Sequence, residues 1–280
     1  MHEWLGQHPD IYMSSNKEPA FFAFDGGGRP GSQPRRDPAI LQWDDYLALF
    51  DAAEGRRIVG ESSTLYLQSP NAPHNIRERL GDIKILALLR DPSSRAFSHF
   101  SLHRLTDSEP LDCFREAVEA YAERRAKDWR INWDYIGPGF YARHIRNYWS
   151  VFGRDALKVV LFRDIKRDAN AVMREIMSFL ELDPNFAFDT TIVHNASYQA
   201  PSGLVASSAR KLSALRCLIP AGVRSRVVNR VKERLLTKLE MTAEERRQLI
   251  DIYSDDIADL EQMLGRDLSA WREPDPRAAE

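Results

Sequence analysis

Cysteine is nearly missing from this chain of 280 residues: only Cys113 and Cys217 occur, far apart and in no metal-ligand spacing. That excludes a disulfide framework and a zinc site as organising devices and makes a reducing cytoplasm the expected compartment. Long apolar runs are missing too. Those around Ile85–Leu89 and Val159–Phe162 are far too short to span a bilayer, and the opening, with Glu3, Trp4, Asp10 and Lys17, lacks the apolar heart of a signal peptide. No internal repeat or low-complexity tract is found. Charge of one sign is lacking as well: 39 Lys and Arg stand against 41 Asp and Glu, so no nucleic-acid partner is expected. The glycines at 26–28 are followed by no Gly-Lys-Ser/Thr, and Pro30, Pro34 and Pro38 oppose a helix there. The stretch Asp25–Pro38 therefore reads as a surface loop or lid rather than a phosphate loop.

What is present is an ordinary globular composition, 43% hydrophobic and 29% charged, long enough for one large domain. Short apolar runs rich in β-formers, at Lys84–Leu89 and Leu157–Phe162 with a third candidate at Arg57–Gly60, alternate with helical patterns. Those patterns cover Trp43–Phe50, Asn71–Leu80, Pro92–Leu105, Leu111–Arg124, Phe140–Phe152 and Ala169–Leu180. The alternation predicts an α/β domain of three layers around a parallel sheet, with residues 1–182 as its core. Residues 183–280 carry helical signals only. Leu249, Tyr253, Ile257, Leu260 and Leu264 share one face of a final helix, opened by a Thr242 and Glu245 capping box and closed by Gly265. Within that helical lobe, Gly203–Lys238 holds nine Lys and Arg against one acid, Glu233. The segment reads as a solvated helix face, or as a surface for an anionic ligand or the periphery of a membrane.

The most informative stretch runs Leu88-Leu89-Arg90-Asp91-Pro92-Ser93-Ser94-Arg95-Ala96-Phe97-Ser98. Arg90 ends a buried strand, Asp91 is placed to cap, and Pro92 suits a first helical position. An arginine at the carboxyl edge of a parallel sheet, beside a helix start, is set to bind an anion. A strand-end arginine paired with a nearby carboxylate is the competing reading, and the residues alone do not choose.

Taken in order, Lys17-Glu18-Pro19-Ala20-Phe21-Phe22, Gly60-Glu61-Ser62-Ser63-Thr64-Leu65-Tyr66, the Arg90 stretch, Gly139-Phe140-Tyr141, Phe162-Arg163-Asp164-Ile165 and the closing Leu264–Trp271 resemble sulfotransferases that use 3′-phosphoadenosine 5′-phosphosulfate (PAPS), above all the heparan-sulfate-type branch and its bacterial relatives. The resemblance implies a sulfotransferase fold of P-loop type and transfer of a sulfuryl group to a hydroxyl or amine of a carbohydrate or other small acceptor, with no metal. Position by position it implies Glu18 as the general base, Arg90 and Ser98 as the holders of the 3′-phosphate, and Glu61 and Tyr141 as acceptor contacts. The chemistry agrees, because a guanidinium offers a fork of donors to phosphate and a serine hydroxyl adds one more. Ser62 stands where relatives often carry lysine, which argues against a highly anionic acceptor. Trp129, Trp133, Tyr135 and Tyr141 offer stacking faces to a sugar or fill the core. Tyr198 falls where relatives place a loop over the nucleotide, but the segment there has no Lys or Arg. His8, His99 and His103 are assigned structural places.

The resemblance further implies a buried strand and a Lys-x-Gly-Thr-Thr loop for the 5′-phosphosulfate ahead of a helix ending in His-Pro. The chain opens inside that helix, at Met1-His2-Glu3-Trp4-Leu5-Gly6-Gln7-His8-Pro9. Two expectations follow: a start placed too far downstream, or a truly short form reduced to an inactive nucleotide- or glycan-binding module.

Overall fold

Four parallel strands carry the architecture in the computed structural model, which describes residues 1–24, 40–105, 108–127, 133–191 and 241–274. The glycine loop at Asp25–Pro38, the basic segment Gly203–Lys238, Trp129, Tyr198 and Cys217 lie outside the described residues. Strand β1 (Ile11–Met13) pairs with β2 (Ile58–Gly60), and β3 (Ile85–Leu89) pairs with β4 (Leu157–Leu161) in full five-residue register. The two pairs are not hydrogen-bonded to each other among the described residues.

Alternation along β3 explains the layering. Ala87 and Leu89 turn to one face while Leu86 turns to the other, the period of two that a pleated strand imposes. The first face is covered by α4 (Ala72–Leu80), α5 (Pro92–Leu105), α8 (Tyr141–Phe152) and the long C-terminal helix α10 (Ala243–Leu264). The second is covered by α1 (His2–Leu5) and α9 (Phe162–Phe179), whose Trp4, Leu5, Val172, Met173, Ile176 and Met177 pack with Ile11 and Val160. Helices, strands and helices make the expected three layers. The shorter helices α2 (Trp43–Ala48), α3 (Leu65–Gln68), α6 (Phe114–Glu119) and α7 (Tyr121–Ala126) fill the connections.

Two boundaries differ from the sequence reading. The helix expected over Leu111–Arg124 breaks at Ala120 into α6 and α7. The helix expected from Ala169 starts earlier, at Phe162, but Asp168 leaves helical backbone geometry inside it, and its carboxylate accepts the Ala171 amide at 2.8 Å. Asp168 thus caps a second segment near the expected start. The final helix is framed as its residues demand: the Thr242–Glu245 capping box is formed at one end, and Gly265 adopts φ 60° at the other. It joins the main core rather than standing apart, because Leu249, Tyr253, Ile257 and Leu260 are fully buried against α5 and α8. Gly139 is obligatory here, since a Cβ would lie 2.6 Å from the Tyr253 ring.

Candidate functional site at the strand ends

Each candidate group follows the carboxyl end of its own strand: Glu18 comes after β1, Glu61 directly after β2, Arg90 directly after β3, and Phe162 directly after β4. In open α/β sheets that edge is where ligands bind.

The Arg90 side is built by burial. Its guanidinium lies over the Phe162 ring, 5.5 Å from the centroid, and the Lys166 ammonium lies 5.3 Å from the same centroid. Asp91 caps α5 by accepting the Ser94 amide at 2.5 Å, as its position predicts. It also receives both Nη atoms of Arg246, at 3.2 and 2.9 Å, in a pair that excludes solvent almost entirely. Arg246 Nε donates to the Glu273 carbonyl at 2.6 Å. Asp91 is therefore committed to Arg246 and to its own helix, whose Ser94 amide it occupies. Ser98, half-buried, sits in the second turn of α5.

Tyr141 supports the same strand end. It is 3% exposed, its hydroxyl bonds the backbone of Arg90, and burial pushes that hydroxyl up to about 12 while Arg95 and Arg90 oppose the shift. A buried ring under Arg90 does not face an acceptor, so the acceptor contact implied for Tyr141 is not what this placement offers. Tyr135 is likewise core, bonded through its hydroxyl to Glu109 at 2.6 Å and to His103 Nδ1 at 2.9 Å. Trp133 donates its indole N–H to the Ser108 carbonyl at 3.1 Å. Among the described aromatics of that group, core packing prevails over open stacking faces. His8 packs on Phe186, a structural place as expected.

The Glu18 side is built by a loop. Glu18 adopts φ 65° and Ala20 φ 55°, left-handed conformations that residues with a Cβ adopt only under constraint. The constraint comes from residues 61–64, directly after β2. The Glu18 amide donates to the Ser62 carbonyl at 2.9 Å, and the Ala20 amide donates to the Ser63 hydroxyl at 3.0 Å. Thr64 donates twice to Glu18 Oε2, from its backbone amide at 2.7 Å and from its hydroxyl at 3.1 Å. Ser63 in turn donates to Glu61 Oε2 at 3.0 Å. The structure thus ties Glu18 and Glu61 to consecutive residues of one loop, a proximity that their 43-residue separation does not disclose.

Glu61 is half-buried beside Tyr46 and Tyr66. Burial pushes its carboxyl up to about 7; the hydroxyls of Tyr66 and Ser63 act against the shift, and Glu18 adds to it by like charge. The same burial, reinforced by the Glu61 charge, raises the hydroxyls of Tyr46 and Tyr66. Two carboxylates, one of them titrating near neutrality, and a cationic edge over Phe162 equip the strand ends to take a proton from one group and hold an anion on another.

An α/β domain with two carboxylates and a guanidinium placed after its strand ends is the class that fold and site define. Residues 36–262 match the Sulfotransferase domain family, and the chain belongs to that family. The crystal structure of a sulfotransferase from Alicyclobacillus acidocaldarius superposes with a TM-score of 0.75 at 30% identity, covering 96% of this chain and 92% of that one. Among curated proteins, the human bifunctional heparan sulfate N-deacetylase/N-sulfotransferase 1 is 22% identical over 97% of this chain and 29% of its own length. The human N-deacetylase/N-sulfotransferase 3 is 25% identical over 49% of this chain and 16% of its own length. The chain thus spans less than a third of these curated relatives.

Arg246, Thr64 and Phe162 were not singled out as site residues from the sequence. Arg246 had a signal: it lies one turn before Leu249 in the apolar stripe of α10, where a charge has to be paired. Thr64 and Phe162 had none beyond their neighbours' motifs.

Proposed function

We propose that this protein transfers a sulfuryl group from PAPS to a hydroxyl or amine of a carbohydrate or other small acceptor. The observation that carries the reading is that a sulfotransferase-family domain holds a loop-fixed carboxylate, Glu18, after β1 and a guanidinium, Arg90, directly after β3. Arg90 and Ser98 would hold the 3′-phosphate. The donor set fits an anion, because Asp91, the carboxylate next to Arg90, is committed to Arg246 and Ser94. PAPS, when bound, supplies the sulfuryl group and a phosphate leaving group. The chain's own residues do the rest by positioning and charge. Glu18 takes the proton that the acceptor oxygen or nitrogen loses as its bond to sulfur forms, and Oε1 is the oxygen left for it, since Oε2 is engaged by Thr64. Glu61, beside Glu18, contacts the acceptor. Its carboxylate, with Ser62 next to it, favours a neutral or amine-bearing acceptor over a highly anionic one.

A carbohydrate acceptor is supported by the heparan sulfate enzymes among the relatives. A cytoplasmic place of action is part of the same proposal and is supported by the scarcity of cysteine. Among the described residues no helix is long and apolar enough to cross a membrane. Peripheral membrane contact through the basic segment falls on residues outside the described ones.

The test is calorimetric titration with 3′-phosphoadenosine 5′-phosphate, followed by transfer of labelled sulfate from PAPS to a mixture of N-desulfated heparan sulfate, glucosamine and p-nitrophenol. Binding and transfer are expected, with Glu18→Gln binding normally and losing turnover by about a hundredfold or more. A Glu18→Gln protein that turns over at the parental rate removes the base, and a folded protein that binds no nucleotide removes the assignment.

A further inference from the structure

Thr64 occupies the position immediately before helix α3, where a threonine hydroxyl ordinarily accepts an amide of its own helix and adds about 1 kcal/mol. It does not do so here: that helix start has no side-chain cap. The hydroxyl donates to Glu18 Oε2 at 3.1 Å, on the same oxygen that receives the Thr64 amide at 2.7 Å. Thr64 itself has helical backbone angles, φ −67° and ψ −27°, Glu18 a left-handed backbone, and one Glu18 carboxylate oxygen takes both Thr64 donors.

We propose that Thr64 is a positioning residue for the sulfuryl transfer: its two donors fix the Glu18 carboxylate so that Oε1 alone faces the acceptor proton. The inference rests on the reading of Glu18 as the base. A carboxylate on a two-carbon arm rotates about its terminal bond over a broad range, so either oxygen could present itself. Two donors on Oε2 remove that freedom. The amide donor cannot be deleted without changing the loop, whereas the hydroxyl can, which makes the side chain the testable half of the clamp.

The experiment compares Thr64→Val, Thr64→Ser and Glu18→Gln with the parent. It measures kcat and apparent KM for labelled PAPS with the mixture of N-desulfated heparan sulfate, glucosamine and p-nitrophenol as acceptors. Thermal unfolding and 3′-phosphoadenosine 5′-phosphate titration are run on the same preparations. Thr64→Val is expected to lose kcat by about ten- to a hundredfold, with KM for PAPS and nucleotide affinity within about twofold of the parent. Thr64→Ser, which keeps the hydroxyl, should return kcat to within about threefold. A Thr64→Val protein turning over like the parent while Glu18→Gln is inactive overturns the positioning role and leaves the base intact. Equal losses in Thr64→Val and Thr64→Ser also overturn it, since keeping the hydroxyl would then not restore turnover. Parental turnover by Glu18→Gln, or a parent that transfers to none of the three acceptors, removes the base reading beneath it.

Discussion

The two halves of the strand-end edge are held by different physics. Around Arg90, five-residue strands pair in full register, and a solvent-excluded bidentate ion pair joins Asp91 to Arg246 across 155 positions. Around Glu18, the strands are three residues long, and a loop of hydroxyls and amides holds a left-handed backbone. The first half is rigid because the core makes it so. The second is set by a handful of hydrogen bonds, each worth about 1 kcal/mol and up to about 3 where a charge takes part. The Arg90 side is fixed by the core, whereas the Glu18 side is built from parts that are cheap to alter.

Breaking the rigid half should have the largest effect. Arg246→Ala leaves Asp91 buried without its cation and should cost about 3–5 kcal/mol, lowering the unfolding midpoint by roughly 10 °C. Circular dichroism melts would show it, and a melt like the parent's would mean that the pair is not what fixes this edge. Next comes Arg90→Ala, which removes a charge-assisted contact and should weaken 3′-phosphoadenosine 5′-phosphate by about 1.5–3 kcal/mol, or ten- to a hundredfold, in calorimetry. Its midpoint should stay close to the parent's, and that contrast with Arg246→Ala separates binding from scaffold.

Smaller still is Thr242→Ala, which deletes the formed capping box at the start of the helix that delivers Arg246. About 1 kcal/mol of stability should go, measured by urea denaturation at constant slope. The smallest effect belongs to the loop half and is read by its sign. Glu61 keeps its proton up to about pH 7 in the folded protein, whereas its ordinary value is 4.5. The folded state therefore binds more protons between those values, and its stability falls as pH rises through that window. Glu61→Gln should lack this slope, gaining on the parent at pH 8 relative to pH 5, with solvent screening keeping the gain modest. Equal differences at both pH values would show that burial does not burden the Glu61 carboxylate.

Legibility followed the same division. Strands β2, β3 and β4 and the helices α4, α5, α8 and α10 were readable because each carries its own signal: a run of β-formers, a capping residue, a stripe of apolar side chains. Asp91 was readable as a cap from Asp-Pro alone, yet its second partner lies at the far end of the chain. Strand β1 was not expected from the sequence, and Ile11–Met13 form a strand by pairing with Ile58–Gly60. Tyr141 was offered as an acceptor contact because an aromatic beside Gly139 serves a surface or a core equally well in sequence; its burial under Arg90 answers the question.

From residue order alone came the layer plan, the helix ends and the family resemblance, because these depend on backbone propensity and side-chain spacing within a dozen residues. Which carboxylate oxygen Thr64 occupies, that Arg246 rather than Arg90 neutralises Asp91, and that Glu18 and Glu61 meet on one loop were settled by folding. Such contacts join residues tens to more than a hundred positions apart, and no local pattern encodes the burial and distance that give them their energy.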